Sequence, residues 1–75
     1  MRRNDNLIGP NVTKFRCQRG WTQGELIAKL RSVGCPITLE ILANIEMQRC
    51  AVTDVQLAFF AEIFCVSVEK LFDVD

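Results

Sequence analysis

Apolar residues recur along this chain at helical spacing, and the gaps between them carry helix-start and helix-stop residues rather than the tight dipeptides that join strands. Ile8, Val12 and Phe15 share one side of a helix over about Pro10 to Arg19, with Pro10 suited to its first turn and Gly20 ending it. Thr22-Gln23-Gly24-Glu25 fits a capping box, so a second helix starts at Gln23, turns Leu26, Ile27 and Leu30 inward and carries Arg31 in its last turn. Gly34 and Pro36 mark a turn from Ser32 to Ile37. Thr38 then caps a third helix over about Leu39 to Met47, which buries Leu42 and Ile45 and holds Glu40, Ala43 and Asn44 outside. Thr53-Asp54-Val55-Gln56 is a second capping box, opening a fourth helix whose Leu57, Phe60, Ala61 and Phe64 supply most of the core. A short last helix after Ser67 is expected to dock Leu71 and Phe72 against it. The pattern predicts an all-α fold of five helices.

Length and composition narrow this further. The 75 residues allow one domain, 1–75, with one core, and a chain of this size buries about 60% of its unfolded surface. The longest apolar run, Leu57 to Ala61, is far short of the roughly 20 residues of a membrane span. Asn4, Asp5 and Asn6 stand where a signal peptide would place its apolar stretch. The expectation is therefore a cytoplasmic protein with no membrane partner. Cys17, Cys35, Cys50 and Cys65 are widely spaced, and histidine is absent, so neither a zinc site nor a disulfide framework is expected. They read as reduced thiols, with a redox role at Cys35 or Cys50 as the lesser alternative. Without histidine, a nucleophile elbow or a phosphate-cradling glycine loop, nothing points to an enzyme, a cofactor or a small-molecule substrate.

The net charge is zero, which by itself disfavours nucleic acid. Its distribution changes that. Residues 1–31 carry seven basic and two acidic side chains, a net of +5, whereas residues 32–75 carry two and seven, a net of −5. One face of a neutral molecule can therefore be basic.

The order of residues adds a family likeness. Ile8-Gly9, Val12, Phe15, Arg16, Arg19-Gly20-Trp21-Thr22-Gln23, Glu25-Leu26 and Leu30 resemble the opening of the Cro/C1-type, or Xre, helix-turn-helix family. Leu42-Ala43-Asn44-Ile45-Glu46 resembles the end of its recognition helix. Arg49, Val52-Thr53-Asp54, Leu57 and Val66-Ser67-Val68-Glu69-Lys70-Leu71-Phe72 resemble its closing segment, so the likeness covers about Asn6 to Phe72. It implies a five-helix, lambda-repressor-like DNA-binding domain in which helices 2 and 3 form the helix-turn-helix. The partner would be double-stranded DNA, read by a homodimer acting in transcription regulation.

By matching position, the likeness assigns phosphate binding to Thr22 and Gln23 and base-edge positions to Thr38, Leu39, Glu40, Ala43 and Asn44. Arg49 would meet a phosphate. The chemistry is reasonable, since helix amides bind phosphate, asparagine can pair with adenine, and glutamate can accept from cytosine. Three departures stand out. The turn from Ser32 to Ile37 is longer than the usual 3 or 4 residues and would push Cys35 and Pro36 toward DNA or a partner. Helix 3 offers Leu39 and Glu40 first and no cation until Arg49, while Gln48 and Cys65 stand where glycine often follows a helix. The alternative is a protein-interaction module that keeps the fold without DNA reading, using Cys35, Leu39 and Ile41. A continuous apolar patch there would favour it, whereas a polar face flanked by Lys14, Arg16 and Arg31 would favour DNA.

Overall fold

Thr22, Thr38, Thr53 and Ser67 start four of the five helices, and the side chain of each accepts the backbone amide three residues on. Glu25 and Gln56 return the bond to the cap residue's own amide, which completes both expected capping boxes. Such caps contribute about 1 kcal/mol each. In the computed structural model, which describes residues 8–72, the elements are α1 (Gly9–Gln18), α2 (Gln23–Ser32), α3 (Leu39–Glu46), α4 (Asp54–Phe64) and α5 (Val68–Leu71). No strand occurs among the described residues. Arg2, Arg3, Asp5 and Asn6 at one end and Asp73 and Asp75 at the other lie outside them. Among the described residues no helix is long and apolar enough to cross a membrane.

The first four helices end by one device. Gly20, Gly34, Gln48 and Cys65 have positive φ, of 72°, 96°, 61° and 58°. The amide after each reaches back five positions, from Trp21 to Arg16, Cys35 to Leu30, Arg49 to Asn44 and Val66 to Ala61. The turn residue's own amide reaches back three. These paired bonds form the Schellman motif, which satisfies carbonyls that the helix cannot. Gln48 and Cys65 thus adopt the conformation glycine would favour, at a cost of about 1–2 kcal/mol for each β-carbon.

The core gathers Ile8 at the cap of α1 and Val12 within it, Leu26 and Leu30 from α2, Leu42 and Ile45 from α3, Phe60 and Phe64 from α4, and Leu71 from α5. Phe15, Ile27 and Leu57 are half-buried at its edge. Phe72 departs from expectation and is 42% exposed. A one-turn helix cannot direct two consecutive side chains to the same side, so Leu71 alone docks. Asn11 Nδ2 donates to the Leu71 carbonyl at 2.7 Å and ties α5 to α1.

Phe64 is the aromatic hub, with the rings of Phe15, Trp21 and Phe60 at 5.5, 6.0 and 6.2 Å. The Arg19 guanidinium lies over Phe15, Trp21 and Phe64 and donates to the carbonyls of Phe15 and Phe64. It joins the end of α1 to the negative end of α4.

Gly9 is buried where α1 crosses the last turn of α3, and a β-carbon there would collide with the Ile45 carbonyl and press on that of Glu46. Helix propensity favours alanine over glycine, but here we expect Gly9→Ala to destabilise by about 2 kcal/mol because backbone cannot yield as a side chain can. The opposite sign is expected for Cys65→Gly, a gain of about 0.5 kcal/mol as relief of the left-handed strain outweighs the added freedom of the unfolded chain. Urea unfolding of both variants checks the pair.

Candidate functional site

The face offered by α3 is fixed from behind. Leu42 and Ile45 enter the core, and Glu46 follows with its side chain only 6% exposed. A carboxylate buried this far needs a cation and several donors. Arg16, seven residues beyond Gly9 and so on the same side of α1, donates Nε to Glu46 Oε2 at 2.8 Å and Nη2 to Oε1 at 3.1 Å. Arg16 Nη1 donates to the Trp21 carbonyl at 3.0 Å. Gln23 Nε2 completes the shell, donating to Glu46 Oε1 at 3.0 Å. Hydrogen bonding to Glu46 holds the Arg16 pKa above its ordinary value despite the opposing effect of burial.

One carboxylate therefore joins the end of α1, the turn at Trp21, the start of α2 and the end of α3. The capping box at α2 uses the amides of Thr22 and Glu25. Those of Gln23 and Gly24 have no intrahelical acceptor and leave the helix end beside the tethered Gln23 side chain. Gly24 is exposed and brings no β-carbon into their approach.

The other site residues lie along α3. Thr38, Leu39 and Glu40 are exposed at its start, Ala43 and Asn44 are half-buried midway, and Arg49 is exposed just past its end. Thr38 accepts the Ile41 amide, so its hydroxyl is also a structural cap. Gln23 sits beside the Glu46 end of α3, and Glu40 to Thr38 lie about 9 to 12 Å away along the helix.

Two expectations for this region need correction. Arg16 does not stand as a cation flanking the face, because its guanidinium is bonded to Glu46 and Trp21 and its side chain is 15% exposed. Cys35 does not reach the surface through the long turn. It is buried, as is Ile37, and only Pro36 between them is exposed. The turn closes through the Ile37 amide on the Cys35 carbonyl at 3.0 Å, a three-residue turn whose centre suits the fixed φ of proline. Of the proposed partner-binding trio, Leu39 and Ile41 remain exposed, with Glu40 between them.

Arg16 and Glu46 were each visible in the sequence, but their union across thirty positions was not, and the same holds for Gln23 as their third partner. The signal available was the Ile45-Glu46 pair itself, since a glutamate directly after a buried isoleucine on a short helix invites a search for a cation. The four cysteines, all among the described residues, are unbridged, with Cys17 and Cys65 exposed and Cys50 half-buried. Burial pushes the Cys35 thiol pKa up, which removes it as an easily oxidised thiolate.

Removing the carboxylate alone leaves Arg16 buried without its counter-ion, so Glu46→Ala should destabilise by about 2–3 kcal/mol. The double variant Arg16→Met with Glu46→Met should lose less than Arg16→Met and Glu46→Met lose in sum, and additive losses across that cycle would contradict the coupling. For Cys35, a folded pKa above the unfolded one means that stability is intact below about pH 8.5 and declines as pH rises through the folded value. Melting curves from pH 7 to 10 should therefore fall less steeply for Cys35→Ala than for the wild type.

No family model matches this chain, and no curated protein or solved structure matches it at a significant level.

Proposed function

We propose that this chain is a sequence-specific DNA-binding regulator of lambda-repressor-like build, with α2 and α3 as its helix-turn-helix and two copies bound to a two-fold site. It works in the cytoplasm by binding, not by catalysis. The observation that carries this reading is the join between Gln23 and Glu46. It ties the amide-bearing end of α2 to the last turn of α3. A phosphate on the Gln23 and Gly24 amides would then register the duplex backbone, and α3 would lie along the major groove.

Within that pose, Asn44 reads a base edge, with adenine its best bidentate partner, and Glu40 favours a cytosine amino group while repelling nearby phosphates. Leu39 and Ala43 offer apolar contact to a thymine methyl. Thr38 and Thr22 border the phosphates, and Arg49 supplies charge past the end of α3. Because α3 itself contains no Lys or Arg, one copy would bind weakly, and a second copy on a half-site one helical turn away, about 34 Å, would supply the missing contacts. The exposure of Leu39 and Ile41 supports a second reading, a protein-interaction module that uses the same face of α3.

Selection from random duplexes at low salt tests the main reading. We expect one motif to enrich, and enrichment of none would leave the protein-interaction reading standing. On the enriched duplex, Asn44→Ala should relax preference at a single base pair. Arg49→Ala should weaken all sequences alike and lower the salt slope by about one. The same response from both variants would contradict these roles.

A further inference from the structure

The basic residues of the first half of the chain are largely engaged within the fold. Arg16 is bonded to Glu46, Arg19 lies over three rings at 5.2 to 5.8 Å, and Lys29 Nζ sits 4.6 Å from the centre of the Trp21 ring. Arg31 is different. It lies in the last turn of α2, is exposed, and donates Nε to the Ile37 carbonyl at 3.1 Å. Ile37 is buried and directly precedes Thr38, so this carbonyl is anchored in the core at the entrance to α3. The bond uses one of the five guanidinium donors and fixes the plane of the group, while its Nη donors are left to solvent. Among the described residues Arg31 pairs with no carboxylate, Glu40 included.

Through the Ile37 carbonyl, the long α2–α3 connection thus holds a cation from the end of α2 at the front of a helix whose own sequence has none. Arg49 stands at the back. An eight-residue helix separates the two by about 12 Å of rise. We infer that Arg31 is a phosphate-binding residue of the α3 face, its Nε tethered to Ile37 and its Nη fork on one backbone phosphate of a duplex that meets Arg49 at a different phosphate. This rests on the DNA-reading proposal above. A planar fork suits a phosphate better than a lysine would, and the tether lowers the entropy lost when it closes. The extended turn is then the means by which a weakly basic recognition helix acquires a fixed cation.

The test uses the full chain and the duplex enriched by the wild type. Arg31→Ala should weaken that duplex and an unselected one several-fold alike and lower the salt slope by about 0.9, the value of one lost phosphate contact. Arg31→Lys should retain the slope yet bind more weakly than wild type, because it keeps the charge without the tethered fork. Scanning the duplex with single neutral methylphosphonates should reveal one position that weakens wild type but not Arg31→Ala, and it should differ from the position silenced by Arg49→Ala. Arg31→Met, which keeps the side-chain stem, separates loss of the guanidinium from loss of the stem's packing. A slope unchanged in Arg31→Ala and Arg31→Met while the wild type binds would overturn this assignment alone. Absence of any wild-type binding at low salt would overturn the DNA reading, and this assignment with it.

Discussion

The bond between Arg16 and Glu46 decides which way α3 faces. Its apolar residues, Leu42 and Ile45, would bury comparably over a range of rotations about the helix axis, because hydrophobic contact has no direction. A carboxylate 6% exposed, accepting at 2.8 and 3.1 Å from a planar guanidinium, has few alternatives. Buried ion pairs add little net stability once desolvation is counted, but their geometry discriminates among arrangements that an apolar core treats as equal. With Glu46 turned toward α1, the remaining sides of α3 are those that carry Glu40, Asn44 and the exposed Ile41.

Arg16 extends the constraint. Its third donor bonds the Trp21 carbonyl, which sets the turn leading into α2, and Gln23 at the first position of α2 shares the same carboxylate. Gly9 removes the last obstacle, since any larger residue would hold α1 away from the Ile45 and Glu46 carbonyls. The start and end of one side of α1 therefore both serve the last turn of α3. Gln48, in left-handed conformation directly afterwards, ends the helix and places Arg49 outside.

The same economy governs the charges. The division into a basic first half and an acidic second half suggests a basic surface, yet several of those cations serve the interior. Arg16 neutralises Glu46, and Arg19 closes the Phe15, Trp21 and Phe64 cluster while capping α4. What remains near α3 is a small number of placed cations rather than a broad field. In the proposed complex with DNA, a surface of that kind would favour recognition by position over nonspecific attraction to phosphate.

The sequence determined the helices and their limits, because those depend on neighbours within a turn or two. Thr22 with Glu25 and Thr53 with Gln56 specify their own hydrogen bonds at a fixed spacing, and Gly20 and Gly34 mark helix ends by what backbone they permit. The same local logic assigned Leu26, Leu30, Leu42 and Ile45 to the interior. Tertiary structure decided what depends on residues far apart in the chain. It turned Arg16 from a surface charge into the partner of Glu46, took Cys35 inward while Pro36 stayed outside, left Phe72 exposed, and fastened Arg31 to the entrance of α3. A periodic pattern records which side of each helix is apolar; it does not record the order in which those sides meet, and a polar group's role follows from whichever partner that meeting supplies.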